Sequence, residues 1–312
     1  MLNPVHLQTF VEVMRTGSFA LAARRLGYTP SAVSQQVSAL ERATRVRLFH
    51  REASAVSPTA AAQELLQRTQ LALGSLRSVE AMFEAYAAGQ AGPVRLGSFP
   101  TASQRLVPAA LARLRNTHPQ LTVHLDEAEP DTLASMIRTQ EIDLALVYTY
   151  DAVPETRRHL IVSEVLLTEQ ILLVVPATHR LAGRERVGFA DLADEQWIGT
   201  RRGTAAGVLL NRLAAEAGYT PQIAHQSNDY AVIQELVGAG LGIALVPALG
   251  YVSDPRRRSL TLDAEGAVRR VATMVNDADG PVEAVAHLCT QLRRAARTVA
   301  QNDHLLDATT AE

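Results

Sequence analysis

Between Ser18 and Glu41 the apolar residues recur twice at helical spacing, with a stop between the two runs. Phe19, Ala22, Ala23 and Leu26 line one short helix, capped by Ser18 and ended by Gly27, whose backbone freedom suits a sharp stop. Thr29 caps a second helix that opens at Pro30, where a missing N–H costs nothing. Ala32, Val33, Val37 and Leu40 form its buried face. The other face carries Ser31, Ser34, Gln35 and Ser38, short hydrogen-bonding side chains with no carboxylate among them. Such a face can lie against base edges and phosphates in a major groove; the alternative is a helical hairpin with a solvated polar face. Upstream, Val5, Leu7, Phe10, Val11 and Met14 give residues 4–15 a buried stripe and predict a helix.

A longer helix is expected from Ser57 (cap) and Pro58 (first turn) to about Ala88. Ala62, Leu65, Thr69, Ala72, Leu76, Val79, Phe83 and Tyr86 follow one another at alternating steps of three and four, the seam of a coiled coil; the alternative is packing on its own domain. Ala88 to Pro93, with Gly89 and Gly92, breaks the helix and marks a hinge. Strands and helices then alternate as in an open α/β sheet. Strands are expected at 94–97, 121–125, 142–148, 166–176, 243–246 and 268–275. Helices are expected at 104–116, 132–139, 205–217, 229–239 and 282–300, followed by a loose polar tail from Gln301.

Composition adds compartment and charge. The 312 residues suffice for two or three folding units. No apolar run has the length of a membrane span and the N-terminus lacks a signal-peptide layout, so a cytoplasmic chain without a membrane partner is expected. Cys289 is the one cysteine, which excludes an internal disulfide and fits a reducing cytosol. All 30 basic residues are arginine. Residues 1–60 hold seven arginines against Glu12, Glu41 and Glu52, whereas the remainder is acidic, which concentrates attraction for phosphate at one end. Gly238, Gly240 and Gly242 follow a helix and precede a strand, the wrong order for a dinucleotide loop. With no serine elbow, paired-cysteine metal motif or phosphate loop, neither an enzyme nor a cofactor or metal is expected.

The assembled pattern, Leu7-Gln8-Thr9-Phe10, Ala32-Val33-Ser34-Gln35-Gln36, Leu40-Glu41 and Leu48-Phe49-His50-Arg51, resembles the winged helix-turn-helix of LysR-type transcriptional regulators. It covers the first 60 residues closely and the rest by element order. The resemblance implies an α+β multi-domain chain: a winged helix-turn-helix over 1–60, a linker and dimerisation helix over 58–89, and a periplasmic-binding-protein-like effector domain over 93–302. That domain would have two α/β lobes, about 93–164 with 267–302 and about 165–266, joined twice. Its partners would be double-stranded DNA at a pseudo-palindromic promoter site, a small-molecule effector and further copies of itself as a dimer or tetramer. Contact with RNA polymerase is also allowed. Ser18, Thr29, Pro30, Ser31, Ser34, Gln35 and Ser38, with Arg51 and Ser54 of the wing, would meet DNA. The chain departs from the family pattern where Ser54 and Ser57 stand for common arginines, Pro58 for a leucine and Ala62 for a glycine, which weakens a minor-groove contact by the wing. Leu65, Thr69, Ala72, Leu76, Val79, Phe83 and Tyr86 would form the dimer seam.

Ligands of open α/β folds collect at the carboxyl ends of strands, beside helix N-termini. Three junctions qualify: Pro100-Thr101-Ala102-Ser103, with Thr101 and Gln104 at capping-box spacing; Thr200-Arg201-Arg202-Gly203-Thr204; and Ser227-Asn228 before Asp229. The resemblance puts an effector-contacting hydroxyl at Thr101 and a second at Pro130, beside Glu129, where proline has none to offer. Arg201 or Arg202 could grip a carboxylate, and Tyr148 could form an apolar wall, so an anionic effector is expected. The competing functional reading is a constitutive DNA-binding protein whose lobes serve only assembly. A transport role would require export.

Overall fold

The structure is a computed structural model that describes residues 2–51, 56–87, 93–153, 162–275 and 283–308. The chain divides into two compact units, one built on residues 1–92 with 138–141 and the other on 93–137 and 142–312.

The first unit contains α1 (Pro4–Thr16), α2 (Phe19–Leu26), α3 (Pro30–Thr44), an antiparallel ribbon of β1 (Phe49–Arg51) and β2 (Val56–Pro58), and the long α4 (Ala60–Ala87). Each start is held by a side-chain cap: Asn3, Ser18 and Thr29 accept from the amides of Val5, Leu21 and Ala32. Gly17 and Gly27 end α1 and α2 at φ 64 and 71, where a side chain would be strained. Phe10, Val13, Ala22, Ala23, Val33, Val37, Leu40 and Phe49 close one core over the three helices and the ribbon. The start expected for the long helix is corrected. Ser57 and Pro58 belong to β2, where Ser57 faces His50, and Thr59 caps α4 by accepting from Ala62 N at 3.2 Å. The ribbon competes for the Ser-Pro pair and wins it. Ala62, fully buried in the head core, is thereby removed from the seam.

The second unit begins with β3 (Val94–Ser98), α5 (Pro100–Arg105), α6 (Val107–Thr117), β4 (Val123–Glu127), α7 (Pro130–Arg138) and β5 (Leu144–Tyr150). It continues through β6 (Val162–Pro176), β7 (Arg186–Gly188), β8 (Gln196–Gly199), α8 (Ala205–Glu216), β9 (Gln222–Gln226), α9 (Tyr230–Gly238) and β10 (Ala244–Pro247). β11 (Arg257–Asp263), β12 (Val268–Val275), α10 (Glu283–Gln301) and β13 (Leu306–Ala308) complete it. The main sheet runs β4-β3-β5-β12-β6-β11-β7, with β10 and β13 also paired to β6, while β8 and β9 form a parallel pair beside Ile243.

β6 explains how one strand serves two lobes. Its first part pairs with β12 as far as Gln170, and from Ile171 to Pro176 it pairs with β10 and β11. The change of partner therefore falls inside β6, beyond the expected boundary at 165. The helix expected over 104–116 is two helices, α5 and α6, broken at Leu106, because Pro108 has no N–H for the carbonyl four residues earlier. The tail is not loose as far as Ala308: Leu306, Asp307 and Ala308 pair with Glu169, Thr168 and Leu167 of β6, and Leu306 is buried. Gly242 has φ +151, and a Cβ there would stand 2.6 Å from the Gln196 carbonyl oxygen, so the glycine run is a close backbone crossing.

Candidate functional site

The head presents α3 as its polar surface. Ser31 and Gln35 are exposed and Ser34 and Ser38 half-buried, while Val33, Val37 and Leu40 fix the helix from behind. Ser18 and Thr29 act as caps, and Thr29 Oγ1 also hydrogen-bonds Ser31 Oγ at 3.0 Å; Pro30 is exposed in the first turn. Two residues that periodicity did not single out hold this geometry. Gln36 accepts from the buried Thr9 hydroxyl at 2.7 Å, tying α3 to α1. Glu41 accepts from Leu48 N and Phe49 N at 2.8 and 3.3 Å, pinning the ribbon to the end of α3. Glu12 is likewise committed, 2.7 Å from Arg15 and 3.6 Å from Arg25. Arg24, Arg42, Arg45 and Arg47 are exposed, while Glu41 is taken up by the ribbon backbone and Glu12 by Arg15 and Arg25 at the surface. Ser54 lies outside the described residues, as do the side chains of Arg51 and Tyr86. Along α4, Leu65, Leu76, Val79 and Phe83 are all exposed, Phe83 at 70%, as is Ala72, while Thr69 is half-buried.

In the second unit the strand register builds a charged centre that sequence reasoning missed. Arg269 on β12 stands opposite Tyr150 of β5 on one side and Glu169 of β6 on the other, so the three side chains project from one face of the sheet. Arg269 Nε donates to Glu169 Oε1 at 2.6 Å and Nη2 donates to Thr101 Oγ1 at 2.8 Å. Glu169 Oε2 accepts from Leu249 N at 2.7 Å, in the 3-10 turn Ala248–Gly250 of the other lobe. The guanidinium lies 4.6 Å over the Tyr148 ring and 5.1 Å over that of Phe99. Arg269 and Glu169 are both buried, at 0 and 1% exposure. Burial pushes the Glu169 carboxyl upward against the pull of Arg269, and burial of the Arg269 charge is outweighed by Glu169 and the nearby tyrosines. The available signal was Glu169 itself, a carboxylate inside an aliphatic strand.

This centre revises several expectations. Thr101 does not cap a helix: Phe99 holds the cap position of α5 without a side-chain bond, Pro100 is the first helical residue, and the Thr101 hydroxyl is engaged by Arg269. Tyr148 is not an apolar wall, since its hydroxyl donates to Glu129 Oε2 at 3.0 Å, and burial lifts its phenol well above the ordinary value. Ser103 Oγ is buried without a hydrogen-bond partner. At the second junction Thr204 caps α8, accepting from Gly207 N, and Thr200 Oγ1 lies 2.8 Å from its hydroxyl. At the third, Asp229 rather than Asn228 caps α9; Ser227 Oγ accepts from Asp229 N, and Asn228 Oδ1 accepts from Arg201 N at 3.0 Å. The side chains of Arg201 and Arg202 are exposed.

A nearly filled crevice, with about 10 Å3 open to a water-sized sphere, lies between Tyr150 of β5 and the second lobe. Tyr150, Ile171, Ile198, Thr200, Tyr230 and Leu245 are among its walls. Thr200 and the register partner of Arg269 therefore meet there, while Thr101, Glu129 and Arg201 are not part of the lining. Arg202 borders a different groove, between α8 and Ile223. Among the described residues no cluster of histidine, cysteine or carboxylate could hold a metal ion, and no helix is long and apolar enough to cross a membrane.

Comparison with known proteins gives these two units a common context. Residues 4–63 match the model of the bacterial regulatory helix-turn-helix protein, lysR family, and residues 87–297 that of the LysR substrate binding domain. The chain is 28% identical over 260 residues to the transcriptional dual regulator GltC of Bacillus subtilis, covering 83% of this chain and 85% of that protein. It is 31% identical to the regulator ShiR of Corynebacterium glutamicum, covering 77% and 80%. In fold it is similar to CbnR complexed with its target DNA, with a TM-score of 0.63, 21% identity and coverage of 94% and 99%. The first two relatives are named as regulators of transcription. With family models matching both its head and its body, the chain belongs to the LysR family of bacterial transcriptional regulators.

Proposed function

We propose that α3 reads base edges in the major groove through Ser31, Ser34, Gln35 and Ser38, that α4 joins two copies, and that the pocket between the lobes receives the effector. The observation that carries the proposal is the arrangement of the head: a carboxylate-free polar face on α3, Glu41 tied to the ribbon backbone, Glu12 taken up by Arg15 and Arg25, and a fringe of exposed arginines. Six exposed arginines, two of them paired with Glu12, give modest attraction for phosphate, so tight binding calls for two heads held together. The apolar residues Leu65, Leu76, Val79 and Phe83, left exposed along α4, fit that need. A chain of this kind works in the cytoplasm. Selection from a random duplex pool tests the reading: two linked, inversely related half-sites should be enriched, and enrichment of single half-sites or of no sequence would refute it.

A peroxide-sensing role is suggested by one relative, the probable hydrogen peroxide-inducible genes activator of Mycobacterium leprae, 28% identical over 284 residues. The single thiol here argues against a disulfide switch within the chain. Cys289 is also half-buried on α10, and burial pushes its thiol up to about 11, away from the reactive thiolate. A small-molecule ligand in the pocket is the better-supported input.

A further inference from the structure

We infer that one continuous run of buried hydrogen bonds latches the two lobes of the effector unit, closing where the Ala248–Gly250 turn meets Thr101 and Glu169. The chain crosses between the lobes within β6 and again just before β12, and Ile171 N donates to Ala267 O at 3.1 Å, so the two crossings lie side by side. Adjacent crossings leave a hinge rotation free, and a contact away from them is what removes it.

The run begins in the first lobe, where Arg269 bonds Thr101 and Glu169, and it crosses to the second where Glu169 Oε2 takes the Leu249 amide at 2.7 Å. Gln234 of α9 continues it. Its Nε2 donates to Gly250 O at 2.8 Å and to Tyr230 O at 3.0 Å, and its Oε1 accepts from Val252 N at 2.9 Å. Turning the amide over would set its oxygen against two carbonyls, so this orientation is fixed. Arg257 closes the far end, donating to Gln234 O at 3.0 Å and to Val252 O. Thr101, Glu169, Gln234, Arg257 and Arg269 are all buried, so water does not readily replace a partner lost from the run.

Packing shows how closely the latch is shut. A Cβ on Gly250 would stand 2.9 Å from Thr101 Cγ2, while its next neighbours, in Pro247 and Tyr230, would be at 3.6 Å. The backbone of the turn therefore rests on the Thr101 methyl, and glycine serves there for close approach rather than for a positive φ. α9 also carries Tyr230, a wall of the nearly filled crevice. A ligand that makes room there by shifting α9 therefore pulls on Gln234 and on the latch. That consequence rests on the reading of the space between the lobes as the effector's place; the latch itself does not.

Hydrogen exchange of the full chain, resolved by mass spectrometry, tests the latch through a wedge and its relief. Gly250→Ala places a methyl against Thr101 Cγ2, and Thr101→Ser removes that Cγ2 while keeping the hydroxyl that Arg269 bonds. Gly250→Ala should speed exchange about ten-fold both in the Ala248–Gly250 turn and in α5 of the other lobe, with α8 unchanged. Adding Thr101→Ser should reverse most of that rise. Gln234→Met, which adds no wedge, should speed exchange in α5 as well. A rise confined to the second lobe in either variant, or one that Thr101→Ser does not reverse, would overturn the inference. Should Gly250→Ala fail to fold, the double variant decides: a folded chain supports the contact across the lobes, and an unfolded one refutes the latch.

Discussion

Replacing Arg269 by methionine tests the buried centre of the effector unit. The change keeps much of the side-chain volume and removes the charge, leaving Glu169 fully buried with the Leu249 amide as its remaining described donor. Breaking a buried ion pair on one side costs about 3–5 kcal/mol, because the abandoned charge has neither water nor partner. Thr101 loses only an accepted bond, since its oxygen is the acceptor and its proton is untouched. Glu169→Gln strands the opposite charge and keeps an oxygen for Leu249, so a loss of similar size is expected. In the double variant neither charge is stranded. Its loss should fall short of the sum of the single losses by about 1–3 kcal/mol. Urea unfolding followed through Trp197 reads this directly, since it is the sole tryptophan and lies fully buried in the same unit. A loss below about 1 kcal/mol for Arg269→Met, or strict additivity in the double variant, would refute the assignment of Arg269 and Glu169 as one coupled unit.

Arg45 ends α3 at φ 56, a left-handed conformation that favours glycine, so Arg45→Gly should stabilise the head by roughly 1 kcal/mol and flatten the salt dependence of DNA binding by about one charge. Calorimetry and binding at several salt concentrations check the two effects, and a lower melting point would oppose the first. Leu76→Glu combined with Phe83→Glu buries like charges across the proposed seam and should yield monomers by light scattering, whereas a persistent dimer would remove α4 from that role. The paired hydrogen bonds from Arg293 hold the Glu164 carboxyl below the ordinary carboxylate range. Its contribution is therefore present above the unfolded pKa of about 4.3 and lost as pH falls through the lower folded value, so the melting advantage over Glu164→Gln should shrink on acidification. A constant advantage from pH 7 to 3 would contradict this.

What could be read in advance was local. The caps Ser18 and Thr29, the stop at Gly27 and the apolar spacing of α1 to α3 each depend on neighbours within a turn or two, and the chain carries them in plain order. The errors arose where a local signal met a distant competitor. Ser57 and Pro58 could open a helix, but pairing with β1 claims them. The polar tail looked free, yet β6 has an open edge for Leu306 to Ala308. The charged centre was hidden most deeply, because Glu169 and Arg269 lie a hundred residues apart and meet only through the register of β6 and β12. Their neighbours Thr168 and Arg270 are polar too, so alternation did not reveal which face was buried. Arg201 and Arg202 erred in the opposite sense: a conspicuous pair in the sequence, with exposed side chains in the fold.

The central claim is that α3 reads sequence, and Gln35 is its most exposed long polar side chain near the N-terminal end. The direct measurement is the affinity of the intact chain and of Gln35→Ala for a duplex selected from a random pool and for an unrelated duplex, at one salt concentration. A side chain that contacts a base edge contributes about 1–3 kcal/mol of discrimination. Gln35→Ala should therefore bind the selected duplex more weakly by roughly five-fold to somewhat over a hundred-fold, with affinity for the unrelated duplex unchanged. An equal fall on both duplexes, or no fall on either, would contradict the account.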